Sequence, residues 1–207
     1  MSYLFSHWRL IGVLTLQHLG LVSAALAIAL AIALPLGIFA ARVPRASALL
    51  LGLLGALYAI PSLALLAVLV RYFGLGAAPV IAVLATYAQF ILVRNIAAAL
   101  RAVPRAQLDA ARGIGMSSRQ QFWRVELPLA SPIMIGGLRL ATVALIAIAA
   151  LGGYVGAGGL GNEIFFGLQR RYLEQTLAGS IPAALLAIAA DAAFRALERA
   201  ATRRTAG

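Results

Sequence analysis

Apolar residues run along this chain in long stretches, broken by short clusters that hold nearly all of its charge. A helix needs about 20 apolar residues to cross the roughly 30 Å hydrocarbon core of a bilayer. Segments of that length lie at about 19–41, 47–70, 77–100, 129–151 and 175–195, which predicts five transmembrane helices. Each is apolar on all faces, the mark of a span and not of the one-sided helix of a soluble core. Residues 1–18 form a further element, because Leu4, Phe5, Trp8 and Ile11 recur at helical spacing around Arg9. That pattern suits a helix lying in the membrane interface, or a frayed lead into the first span. No basic segment followed by a small-residue cleavage site marks this stretch, so a cleaved signal peptide is not expected.

The connections decide the orientation. One set carries Arg42 and Arg45, then Arg101, Arg105, Arg112, Arg119 and Arg124, then Arg195, Arg199, Arg203 and Arg204. The opposite set carries only Arg9, Arg71, Arg170 and Arg171. Arginine excess marks the cytoplasmic side, so the N-terminus is expected outside and the C-terminus in the cytoplasm. The longest stretches between spans are 101–128 and 152–174, too short for a soluble domain. Residues 1–207 therefore read as a single all-α membrane domain, with a bacterial cytoplasmic (inner) membrane location and the lipid bilayer as its solvent.

Composition narrows the chemistry. A hydrophobic content of 63% exceeds what a soluble domain of this size buries, so the net charge of +11 is read as membrane topology and not as a nucleic-acid footprint. All seventeen basic residues are arginine, and cysteine is absent. Lysine and thiol nucleophiles, disulfides and thiolate metal sites are thereby excluded. Without lysine the chain has no G-x-x-x-x-G-K-[ST] phosphate loop, so ATP-driven work would need a partner's ATP and Mg. Six acidic residues and two histidines, His7 and His18, form no catalytic or metal-binding pattern, and no cofactor is expected on this chain.

The segment from Asp109 to Pro128 stands apart, with several of the central arginines and a turn signal in its middle. It predicts a short helix ended by Gly113 or Gly115, then a second helix capped by Ser117 or Ser118 with Gln120 or Gln121 in capping-box register. Pro128 then falls in the first turn of the next span, where its missing N–H does least harm. The small side chains of Ala110 and Ala111 leave the first helix open to close approach, by a partner's groove or by the membrane surface.

Asp109-Ala110-Ala111, Gly115 four residues further on, Val125 after nine more, and Leu127-Pro128 together resemble the EAA loop of ABC importer permeases. Asp109 replaces the usual Glu, and Val125 the usual Ile. The resemblance covers most of the chain through IPSLALL (60–66), LVRNI (92–96), RVELPLASP (124–132), VGAGGLG (155–161) and AGSIPAALLAIAAD (178–191). It is strongest toward permeases for osmoprotectants such as glycine betaine, choline and carnitine. Methionine-importer permeases share the GAGGLG stretch and the five-span plan, resemble the IPSLALL and SIPAALL segments less, and offer the alternative cargo, methionine or another small solute. The resemblance implies the type I importer fold, residues 101–128 as a cytoplasmic coupling loop for an ABC ATPase dimer, a second permease subunit, and an extracytoplasmic substrate-binding protein.

Inside the spans, Arg94 and Arg139 are costly in lipid and are expected to face the bundle interior or to snorkel. Asp191 is the carboxylate placed to pair with either. Tyr58, Tyr87, Phe90 and Tyr154 could present ring faces to a quaternary ammonium, which has no N–H to donate. Ser62, Asn95 and Thr142 add polar groups along a translocation path. Gly156 to Gly161 formally fits G-x-G-x-x-G, yet it follows a span and lacks the acidic residue about 20 positions on, so a tight turn near the outer mouth is expected instead of a nucleotide site.

Overall fold

A computed structural model describes residues 2–205, and every regular element among them is helical. A short α1 (Ser2–Ser6) precedes α2 (Trp8–Arg42), α3 (Pro44–Ala59), α4 (Ser62–Phe73) and α5 (Ala77–Arg101). The loop holds α6 (Arg105–Gly113) and α7 (Ser118–Gln121), followed by a π-turn at Phe122–Glu126 and α8 (Leu127–Ala149). A 3-10 turn at Ala150–Val155, α9 (Gly161–Gln169) and α10 (Leu173–Thr205) complete the chain. Among the described residues, four helical stretches are long and apolar enough to cross a membrane, or five if the pair α3 and α4 counts as one broken span.

That pair gives the span expected at 47–70 a sharp bend: its two pieces meet at 91°. Pro61 is the cause. Its ring disfavours helical geometry at the preceding residue, and Ile60 and Pro61 both take extended ψ angles, 131° and 128°. The carbonyl freed at Ile60 accepts a hydrogen bond from the Tyr87 hydroxyl. The break is therefore satisfied inside the protein, as non-helical backbone at membrane depth must be.

At the N-terminus the helix leads directly into the first span. From Trp8 the backbone runs without a break into the first span, since no proline interrupts the helix before Pro35. Leu4 and Ile11 pack inward with Leu14, Leu160 and Ala178, while Phe5 and Trp8 stay exposed. The Tyr3 hydroxyl donates to the buried Glu163 carboxylate at 2.9 Å, and Gln175 donates to the same oxygen at 3.1 Å. Burial, reinforced by that carboxylate, raises the Tyr3 hydroxyl above its ordinary pKa and keeps it a donor. The last span also exceeds its expected end, because α10 continues through the arginine-rich C-terminal segment.

At the centre lies α5, packed by α2 on one side and α8 on another. Ala25, Ala29, Ala33, Gly37 and Ala40 line the buried stripe of α2 and bring its backbone close to α5. Lipid supplies no hydrophobic drive for helices to associate, so close van der Waals contact between small residues supplies much of the cohesion. Gln89 of α5 strengthens the crossing by donating to the Ala29 carbonyl at 3.2 Å. His18, fully buried, donates through Nε2 to the Ile146 carbonyl at 2.9 Å and so ties α2 to α8. The turn at 156–161 packs under this tie, with Gly159 N–H donating to Gln17 Oε1 at 3.0 Å.

Candidate functional site

The loop between α5 and α8 is built by its own backbone chemistry. The Met116 N–H donates to the Ala111 carbonyl at 3.1 Å and the Gly115 N–H to the Arg112 carbonyl at 2.9 Å. This is a Schellman closure with Gly115 at the left-handed position, φ +80°. Ser117 then caps α7: its hydroxyl accepts from the Gln120 N–H at 3.3 Å, and its own N–H donates to Gln120 Oε1 at 2.9 Å. Both devices are those expected from the sequence. The second helix, however, is not free, because α7 passes through the π-turn directly into α8 and forms one continuous helical stretch from Ser118 to Val155.

Ala111 is buried against the protein, whereas Asp109, Ala110 and Gly115 are exposed. Asp109 meets Arg112 at 3.4 Å, an exposed pair of the kind that contributes little to stability. Ile114, 75% exposed at the tip, was not singled out by the sequence, although an apolar residue between two turn glycines is a signal for a contact residue. Val125 is half-buried, Leu127 opens α8, and Pro128 lies in its first turn.

Glu126 is the second residue that sequence reasoning missed. The π-turn directs it inward, where it is 5% exposed and accepts from Arg42 Nη2 at 2.6 Å. Arg101 caps the same end of α2 by donating to the Ala40 and Ala41 carbonyls. The loop's exit is thus pinned to the end of the first span. Arg42→Ala should strand the buried carboxylate and lower stability by about 1.5–3 kcal/mol, the scale of a hydrogen bond to a charged group. Thermal unfolding in detergent measures this, and the double variant with Glu126→Gln should recover part of the loss.

The intramembrane residues separate into two places. Arg139 meets Asp191 at 3.6 Å and Glu198 at 3.7 Å, and Arg195 meets Asp191 at 2.6 Å, so this network joins α8 to α10. Asp191 pairs with Arg139 and not with Arg94. Arg94 lies instead over the Phe90 ring, 5.9 Å from its centroid. Tyr58 stands 5.3 Å from Phe90 and 5.4 Å from Tyr87, and a cavity of about 480 Å³ joins Tyr58, Phe90, Arg94 and Asn95. Asn95 donates to the Ile91 carbonyl at 2.7 Å, and Thr142 to the Leu138 carbonyl at 2.8 Å. Ser62 sits at the start of α4, half-buried, outside the residues that line this cavity. Tyr154 packs on Phe165, with ring centroids 3.9 Å apart.

A bundle of spans with one structured loop locked to the first of them defines a class. The chain belongs to the family described as binding-protein-dependent transport system inner membrane component, whose model matches residues 33–205. Among its relatives, the carnitine transport permease protein of Listeria monocytogenes is 36% identical over 89% of this chain and 84% of its own length. The osmoprotectant import permease protein of Salmonella typhimurium is 34% identical over 91% of this chain and 90% of its own. A choline transport system permease protein of Bacillus subtilis is 38% identical over 56% of this chain, and the match spans about half (54%) of that protein's length.

Solved structures show the same fold. An inward-facing MetNI methionine ABC transporter aligns with a TM-score of 0.80 at 22% identity, covering 95% of this chain and 98% of the matched one. An amino acid ABC transporter crystallised with histidines aligns at 0.70 and 18% identity, covering 98% of this chain and 97% of the other.

Proposed function

We propose that this chain is the membrane-spanning permease subunit of an ATP-driven importer for quaternary-ammonium osmoprotectants such as glycine betaine, choline or carnitine. The observation that carries this reading is the loop Asp109–Pro128. Its Schellman closure and capping box present Ala110, Ile114 and Gly115 as an exposed corner, and its exit is continuous with α8. An ATPase dimer, holding the ATP and Mg that a lysine-free chain has no phosphate loop to bind, docks on that corner. A second permease subunit completes the pathway, and a loaded binding protein docks on the outer side. Closure of the ATPase drives alternating access. The arginine distribution supports an outer N-terminus and a cytoplasmic C-terminus. The relatives that transport carnitine, choline or osmoprotectants support the cargo, and the methionine reading rests on fold likeness and the GAGGLG stretch.

Because the chain has no cysteine, Ala110→Cys gives a unique thiol on the loop. It should cross-link to cysteines placed on the ATPase subunit in the assembled complex, and failure at every tested pair counts against the docking assignment. Uptake of labelled betaine, choline, carnitine and methionine by the reconstituted complex tests the cargo. ATP-dependent accumulation of a quaternary ammonium is expected, whereas accumulation of methionine alone overturns the osmoprotectant reading.

A further inference from the structure

The charged side chains along the spans are not treated alike. Arg139 has Asp191 and Glu198, and Arg42 has Glu126. Arg94 meets no carboxylate among the described residues. It lies seven positions before Arg101, the last residue of α5, roughly 10 Å from that end of the helix. A guanidinium facing lipid at the bilayer centre costs roughly 2.5–3.5 kcal/mol, so arginines in spans turn toward cavities or partners. Arg94 is exposed on the isolated subunit and opens on a surface cavity of about 480 Å³ whose lining includes Tyr58, Phe90, Asn95, Leu140 and Ala144.

Its one described attraction there is to the Phe90 ring, at 5.9 Å. A ring face that already holds a cation receives a second one poorly, and two cations in one cavity repel. A lone onium ion therefore gains little here. A zwitterion differs, because its carboxylate can take the guanidinium through a bidentate pair and draw it off the ring. The Phe90 face is then free for the onium of the same molecule, with Tyr58 at 5.3 Å offering a second face.

We propose that this cavity is a transit site for quaternary-ammonium carboxylates, with Arg94 binding the carboxylate and Phe90 and Tyr58 the onium, and that it selects against quaternary-ammonium alcohols. The proposal rests on the importer reading above and adds to it a basis for cargo choice within the membrane subunit.

The test uses the complete reconstituted transporter with its binding protein, comparing betaine with choline. The binding protein is the same throughout, so a change in the ratio of the two uptakes arises in the permease. Arg94→Gln should lower the betaine-to-choline uptake ratio by about tenfold or more, the effect of losing roughly 1.4 kcal/mol or more of selective attraction. Arg94→Lys, which keeps the charge and loses the planar fork, should lower it by less, and it serves if the glutamine variant does not accumulate. An unchanged ratio in a variant that still transports overturns the site and leaves the importer reading standing. A wild-type complex that carries neither solute overturns both.

Discussion

Gly161→Ala is expected to prevent α9 from packing against the 3-10 turn at Ala150–Val155. A Cβ at residue 161 would lie 1.9 Å from the Ala150 carbonyl oxygen and 2.7 Å from its carbon. The contact is reciprocal, since a Cβ on Gly153 would lie 2.3 Å from the Gly161 oxygen. Both partners are backbone, so no rotamer change relieves the clash. Nor can α9 step aside, because Gly167 would meet the Thr176 N at 2.4 Å and Gly179 the Leu160 oxygen at 2.7 Å if either carried a Cβ. Overpacking a core costs about 1–3 kcal/mol and occasionally more, and a clash with backbone belongs at or above the top of that range. The unfolding temperature in detergent should fall by many degrees, or the protein should fail to accumulate. Gly20→Ala is the control: nothing lies within 4 Å of its Cβ, and alanine in a helix interior should be neutral or stabilising by about 0.5–1 kcal/mol. Equal melting of the two variants would sink the prediction.

The second large effect is functional. At Gly115 a Cβ meets nothing within 4 Å, so the first effect of Gly115→Val is on the backbone. Its φ of +80° is the left-handed region, where a side chain costs about 1–2 kcal/mol and a β-branched one is worst placed. The closure onto Ala111 and Arg112 should open, and Ala110 and Ile114 should lose the corner that presents them. ATP-driven uptake should fall at least tenfold while the melting temperature barely moves, since the buried core lies elsewhere. Asparagine, which tolerates this geometry, should keep intermediate uptake. Full uptake in the valine variant would mean that the corner's shape does not matter to its partner.

The features legible in the sequence are those set by neighbours along the chain. Ser117 and Gln120 announce their capping box by spacing, and Gly115 announces its turn. Hydropathy over 77–100 marks α5, because a span's solvent is uniform and its pattern needs no tertiary information. Pro61 was equally visible, but an averaged apolar window over 47–70 carries no direction, and the 91° turn is a matter of direction. The pair of Arg42 and Glu126 was beyond reach for another reason. Its members lie 84 residues apart, and only the π-turn brings Glu126 inward. Of the two span arginines that the sequence offers to Asp191, Arg139 is the one that meets it, while Arg94 lies over Phe90, a choice that depends on how α5, α8 and α10 pack.

One continuous helical stretch of 38 residues runs from Ser118 to Val155, which at 1.5 Å per residue is roughly 57 Å, nearly twice the thickness of the hydrocarbon core. A stretch that long exceeds the thickness of the hydrocarbon core, and its first residues, Ser118 to Phe122, come before the side chains that tie it to the bundle. The Arg42–Glu126 pair fastens this stretch to the end of α2 close to its beginning. If an ATPase docks on the neighbouring loop, as proposed above, a displacement there would be passed along one unbroken length of helical backbone to the 3-10 turn at Ala150–Val155, with no flexible linker between to absorb it.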